Sequence, residues 1–143
     1  MRLADYAQRL LCLAETVHRW LGALSGLDDR RRARVSGYAE KIADTLARAG
    51  EALTRLSAAP RNGRARRQAI RELGRITGYI ETMVAALEHS LDGRKLAGVK
   101  RRLEQLRPGE LHDCVVSGRR PEHIDRLASA EGYFRALVDG LRT

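Results

Sequence analysis

The chain has 143 residues, 43% of them hydrophobic, and a formal net charge of +9 from 27 Lys or Arg against 18 Asp or Glu. That length makes one domain, 1–143, able to bury a core without disulfide staples, and an Ala-, Leu- and Arg-rich mix with only 3 Pro and 1 Trp, 4 Tyr and 1 Phe excludes a sheet protein in favour of an all-α one. The positive balance points to polyanions, nucleic acid before an anionic membrane surface.

The first expected helix covers 3–24. Leu3, Ala7, Leu10, Ala14, Val17, Leu21 and Leu24 recur at alternating spacings of four and three, an a/d seam. Leu11, Leu13 and Trp20 fall outside the seam and widen the apolar arc. Such a helix is central in its bundle or carries a second interface. Leu13 and Trp20 are the candidate contacts to other protein subunits or to a second copy of the chain. Ser25-Gly26 ends the helix. Cys12 lies on its polar side; with Cys114 it makes two scattered thiols, which give no disulfide framework and suit a reducing cytoplasm. The apolar patch near the N-terminus is flanked by Asp5 and Glu15, so it reads as neither signal peptide nor membrane span.

A second helix is expected over 28–57, with Asp28 and Asp29 as cap and first-turn acids. Its core stripe is Val35, Tyr38, Ile42, Leu46, Ala49, Leu53 and Leu56. Arg34, Lys41, Arg48 and Arg55 recur every seven residues on one flank. Asp44 and Glu51 stand four residues before Arg48 and Arg55, the favourable order for helix ion pairs, so this flank reads as a self-paired, solvated face. Ala58 to Gly63 is a turn by its Pro and Asn-Gly, and it makes the flanking helices antiparallel neighbours.

The third helix, over 64–91, carries the core stripe Ala69, Leu73, Ile76, Ile80, Met83, Leu87 and Leu91. Arg64, Arg67, Arg71 and Arg75 form a second stripe, about 160° from the first by helical projection; only Glu72 lies nearby, off the stripe, so these charges are expected to be unpaired. Gly74 and Gly78, like Gly22, Gly98 and Gly132, read as points of close packing against neighbouring helices. Asp92-Gly93 reads as a break, with a kinked continuous helix as the alternative. A fourth helix covers 94–106 on Leu96, Val99, Leu103 and Leu106, crowded by Lys95, Lys100, Arg101 and Arg102, and Pro108-Gly109 stops it. A short helix over 110–117 and a turn at Gly118 to Pro121 lead into a last helix reaching to 141. Its core is Ile124, Leu127, Ala130, Phe134, Leu137, Val138 and Leu141. The result is an antiparallel helical bundle of about four long helices plus a shorter helical element.

Two sources compete for the charge. A GC-rich genome gives 24 Arg against 3 Lys without any functional selection. The distribution argues for a localised footprint instead: residues 61–107 hold 12 Lys or Arg against 5 Asp or Glu, while from Pro108 onward there are 5 against 6. Arg guanidinium forks match phosphate oxygens in bidentate geometry. Arg64, Arg67, Arg71 and Arg75 are therefore the first candidates for phosphate contact, with Arg66, Lys100, Arg101 and Arg102 extending the surface. Tyr79 is the only aromatic in the basic stretch, and Asn and Gln are scarce. Backbone-dominated, sequence-tolerant, salt-sensitive binding of RNA or single-stranded DNA is expected, not base readout.

Catalytic and metal chemistry find little support. No two of His18, His89, His112 and His123 have the i, i+4 spacing of a helical metal site, and the adjacent ligand types His112-Asp113-Cys114 point about 100° apart on a helix. Arg107 and His112 have a spacing that resembles HEPN-type helical ribonucleases, in which an Arg and a His on one helix would act on an RNA phosphate. Here Pro108-Gly109 separates them and breaks that helix. No enzyme, metal, cofactor, small-molecule substrate or membrane partner is expected.

As a small, basic, all-helical chain, the protein also resembles accessory subunits of nucleoprotein machines. One such family is the small helical subunit of CRISPR effector complexes, which lines the belly of the complex along the nucleic acid. Another is the accessory variability protein of diversity-generating retroelements, a basic helical bundle that forms a ring and works with a reverse transcriptase and RNA. The segment Glu72-Leu-Gly-Arg-Ile-Thr-Gly-Tyr-Ile80 is similar to a helix segment of the latter family, over nine residues of 143 and at a different place in the chain. The resemblance implies a helical bundle in a ribonucleoprotein, and carries over no site residue. A homo-oligomeric or adaptor module for protein assembly is the alternative.

Overall fold

The computed structural model of the protein describes residues 2–88, 93–106, 115 and 121–143. Among the described residues it is all helix, with no strand. The helices are α1 (Leu3–Arg19), α2 (Leu21–Ser25), α3 (Asp29–Ala58), α4 (Gly63–Ala86), α5 (Gly93–Leu106) and α6 (Pro121–Arg142). The expected short helix over 110–117, Val115 apart, lies outside the described residues, as do Asp92, Arg107, His112 and Cys114.

Local chemistry sets the helix ends. Asp28 Oδ1 accepts the Arg31 backbone N–H at 2.8 Å, and Asn62 Oδ1 accepts that of Ala65 at 3.1 Å. Each bond satisfies one of the donors that a helix start leaves open. Pro121 occupies the first position of α6, where its missing N–H loses nothing. The single helix expected over 3–24 is two. The Trp20 N–H bonds to Val17 O at 3.0 Å, a tighter turn than the helical ladder, and Leu24 N–H resumes on Trp20 O at 2.8 Å. The helix expected to reach residue 91 ends at Ala86, where Leu87 N–H turns back to Val84 O at 3.0 Å.

Helix α3 packs against α4 on one side and α6 on the other. It is antiparallel to both. Tyr38 meets Tyr79 and Arg48 meets Glu72 across the first seam; Glu40 meets Arg142 and Asp44 meets Arg135 across the second. Helix α1 packs on α6 and α5. It is pinned to α4 by the fully buried Tyr6, whose hydroxyl donates to Leu73 O at 3.2 Å. Tyr6→Phe is expected to cost about 1 kcal/mol, the net worth of one such bond, as a lowered midpoint in urea unfolding.

The wide apolar arc of α1 is spent inside the molecule. Leu13 is 0% exposed and Trp20 7%, both in the core cluster with Leu10, Ile76 and Phe134. The expectation that they form an open flank for protein partners is corrected: both are buried within this chain, where α1 packs against α5 and α6. The glycines also differ from expectation. A side chain at Gly22, Gly78, Gly98 or Gly132 would meet nothing within 4 Å, and Gly74 is exposed. The close approach occurs at Gly140, where a Cβ would sit 2.7 Å from Leu21 Cδ2. Among the described residues, no helix is long and apolar enough to cross a membrane.

Candidate nucleic-acid interface

The short 59–62 turn folds α4 back along α3, so residues equidistant from the turn face one another. Of the seven-residue flank of α3 (Arg34, Lys41, Arg48, Arg55), Arg48 and Arg55 thereby come beside Arg75 and Arg64 of α4, and Lys41 beside Tyr79. Three observations fix this. Arg48 and Arg75 reach the same carboxylate, Glu72, at 3.1 and 3.5 Å. Lys41 of α3 lies 5.8 Å from the ring centroid of Tyr79 of α4. Arg55 and Arg64 line one cleft of about 410 Å³ with Asn62 and Gln68. The basic surface is thus composite: two helices, with one acid held between them.

Arg64, Arg67, Arg71 and Arg75 are all exposed. Arg64, Arg67 and Arg71 have no ion pair among the described residues. Arg75 does not match the expectation of an unpaired stripe, because it pairs with Glu72. Glu72 itself, expected merely to lie nearby, has a side chain only 4% exposed. A buried carboxylate needs partners far more than a solvated one does, and it takes one Arg from each helix. Arg48 completes the network by donating to the buried Thr45 hydroxyl at 3.0 Å.

The remaining candidates are placed less favourably. Arg66 is half-buried, its guanidinium beside Gly63 with that of Arg67. Lys100 pairs with Glu88 at 2.5 Å, and Arg102 donates to the Thr16 hydroxyl of α1. Lys100 therefore sits against the far end of α4, about 20 Å along its axis from Arg75. The structure does not bring Lys100 or Arg102 to the α4 stripe. Arg101 is exposed and has no ion pair among the described residues.

The acids of α3 are drawn to the opposite side. Asp44 pairs with Arg135 at 3.3 Å and Glu40 with Arg142 at 2.6 Å, while Arg135 also holds Glu131 at 2.7 Å. The expected Asp44–Arg48 pair is therefore absent, and Glu51 and Arg55 show no ion pair among the described residues. An exposed i, i+4 pair is worth only about 0.3–0.5 kcal/mol, too little to compete with the buried Glu72. The consequence in mid-helix is segregation: Glu40 and Asp44 on the α6 side of α3, Lys41 and Arg48 on the α4 side.

The hydrogen bond from Arg142, and its charge, hold the Glu40 carboxyl below its ordinary range. A carboxyl depressed in the folded state contributes stability that is present above its unfolded pKa and lost as pH falls through the folded value. Arg142→Ala is expected to raise the Glu40 titration midpoint towards the ordinary value, read from its carboxyl carbon shift by NMR.

Sequence reading missed two things here: the α3 flank as part of the surface, and Tyr38 as a neighbour of Tyr79. The signal for both was the short turn, whose mirror register pairs 48 with 72 and 38 with 79. Among the described residues, no group of three His, Cys, Asp or Glu could hold a metal ion. Compared with known proteins, the chain matches no family model, no curated protein and no solved structure.

Proposed function

We propose that the chain is an antiparallel bundle of four long helices with a shorter helical element, and that it serves as a non-enzymatic basic subunit of a ribonucleoprotein. In this reading it grips the backbone of RNA or single-stranded DNA without sequence specificity. It would be an accessory subunit of the kind found in CRISPR effector complexes or diversity-generating retroelements. The observation that carries the proposal is the two-helix basic face, where Arg48 and Arg75 share the buried Glu72 while Glu40 and Asp44 of α3 pair with α6 instead.

The dimensions suit a polyanion. Arg34 and Arg55 stand about 31 Å apart along α3, and Arg64 and Arg75 about 16 Å apart along α4. Packed helix axes lie about 8–10 Å apart, so the two basic rows flank a strip wide enough for one phosphate backbone. Exposed guanidiniums on a rigid seam supply charge and bidentate geometry. The face offers few amide side chains to read base edges, so affinity comes from charge.

The test is fluorescence anisotropy with oligo(U) and oligo(dT) across a salt series. If Arg34, Arg55, Arg64, Arg67 and Arg71 each neutralise one phosphate, the log–log slope is about −3.5, at roughly −0.7 per contact on single strands. A flat salt dependence defeats the proposal. No binding even at low salt, together with a defined oligomer in sedimentation, supports the assembly-module alternative instead.

A further inference from the structure

At the end of the basic face remote from the turn, α3 and α4 bring together two tyrosines that lie far apart in sequence. The Tyr38 and Tyr79 ring centroids are 6.5 Å apart with their planes at 46°, a splayed pair and not a stack. Both rings are half-buried at the rim of the core. Neither hydroxyl has a hydrogen-bond partner among the described residues, in contrast to Tyr6, whose hydroxyl is used to join helices. The Lys41 ammonium lies over both rings, 5.3 Å from the centroid of Tyr38 and 5.8 Å from that of Tyr79. Beside Tyr38 a cleft of about 230 Å³ opens, lined by Arg34, Gly37 and Lys41. Gly37 keeps it open: a Cβ there would meet nothing within 4 Å.

We infer that Tyr38 and Tyr79, with Lys41 and the cleft over Gly37, form a nucleobase-stacking site that makes the basic face select single strands over duplex. The inference rests on the phosphate-binding reading of that face and adds a base-dependent contribution to it. An aromatic ring beside a cationic track is how sequence-tolerant single-strand binders hold bases, because every base has a π-face. In the structure the Lys41 ammonium occupies the ring faces as a cation–π partner. When a strand arrives, Lys41 swings to a phosphate and a base takes its place. Arg34, one helical turn away on the same rim, holds the next phosphate. A duplex keeps its bases stacked on one another and has none to offer, so it meets only the charges.

The experiment is anisotropy at one fixed salt concentration with four probes of about 12 nucleotides, within the span a single site tracks. They are oligo(U), oligo(dT), a deoxy strand with abasic positions, and a dT·dA duplex. The wild-type chain is expected to bind oligo(U) and oligo(dT) about tenfold more tightly than the abasic strand or the duplex, at the lower end of what one stacked base contributes; equal affinity for duplex and single strand overturns the selection. Y38L/Y79L loses that advantage yet keeps the affinity for the abasic strand, and Y38F/Y79F retains both. Gly37→Leu crowds the cleft with both rings in place and loses the advantage as well. It carries the test should the leucine pair fail to fold by circular dichroism. Equal affinity of the wild type for base-bearing and abasic strands overturns the stacking site and leaves the phosphate face standing. An advantage confined to oligo(U) overturns it too, since that places discrimination on the 2′-hydroxyl. No affinity for any probe overturns both readings.

Discussion

Replacing Arg64, Arg67 and Arg71 together with Glu is expected to lower affinity for single-stranded nucleic acid about a thousandfold while leaving helical content unchanged. Each of the three is exposed, and none is engaged in an ion pair among the described residues, so the fold loses no partner. Each charge-assisted contact to phosphate is worth about 1.5 kcal/mol at the low end, and about 1.4 kcal/mol corresponds to a factor of ten. Three such losses give the stated factor before the added repulsion of three carboxylates. The neutral version, all three to Ala, is expected to flatten the salt slope by about 2, at roughly 0.7 per lost phosphate contact. Circular dichroism establishes that the variants are folded; anisotropy across a salt series measures the effect. Unchanged affinity, or a fall in affinity with an unchanged slope, removes the α4 stripe from the interface. Arg75 is left out deliberately. A glutamate there would face the buried Glu72 and confound binding with folding.

Much of the scaffold was legible because helix signals are local. The Asp28 cap, the Pro60 and Asn62 turn and the Pro121 start each act within a few residues, and the structure uses all three. Every member of the α1 seam from Leu3 to Val17 is buried, because a seam read at helical period reports which face is apolar whatever covers it. What covers it is not local. Leu13 and Trp20 looked like spare apolar surface because the sequence does not say that α5 and α6 both lie against α1. The same limit hid the composite basic face. Asp44 and Arg48 have the spacing of a helix pair, and isolated they would form one; tertiary packing offers each a different partner, Arg135 and Glu72. The paired flank of α3 became half of a basic face only once α4 and α6 divided its charges between them. The composite face was nonetheless within reach of the sequence. A four-residue turn fixes the register of two antiparallel helices, and that register places 55 beside 64 and 48 beside 72.

Removing both Arg partners of Glu72, in Arg48→Ala with Arg75→Ala, is expected to destabilise the chain by about 3–5 kcal/mol. This follows from where the burial lies. The Arg48 and Arg75 side chains are 43% and 50% exposed and lose little by release, but the Glu72 side chain is 4% exposed and is left as an uncompensated buried charge. For a chain of this length such a loss lowers Tm by about 10–17 °C. Adding Glu72→Leu to the pair is expected to recover most of it, because replacing a buried ionic group with an apolar one of similar volume is close to neutral. Thermal unfolding of the single, double and triple variants measures the coupling. Additive losses, with no recovery on adding Glu72→Leu, contradict the network. The same acid has an opposite role in binding. Glu72→Leu alone frees Arg48 and Arg75 to turn outward, and affinity for oligo(U) is expected to rise while the Arg48→Ala, Arg75→Ala pair lowers it. A residue whose loss leaves the fold nearly intact and strengthens polyanion binding is one that holds back positive charge. Glu72 would then join the two helices at the expense of the grip of the face they form.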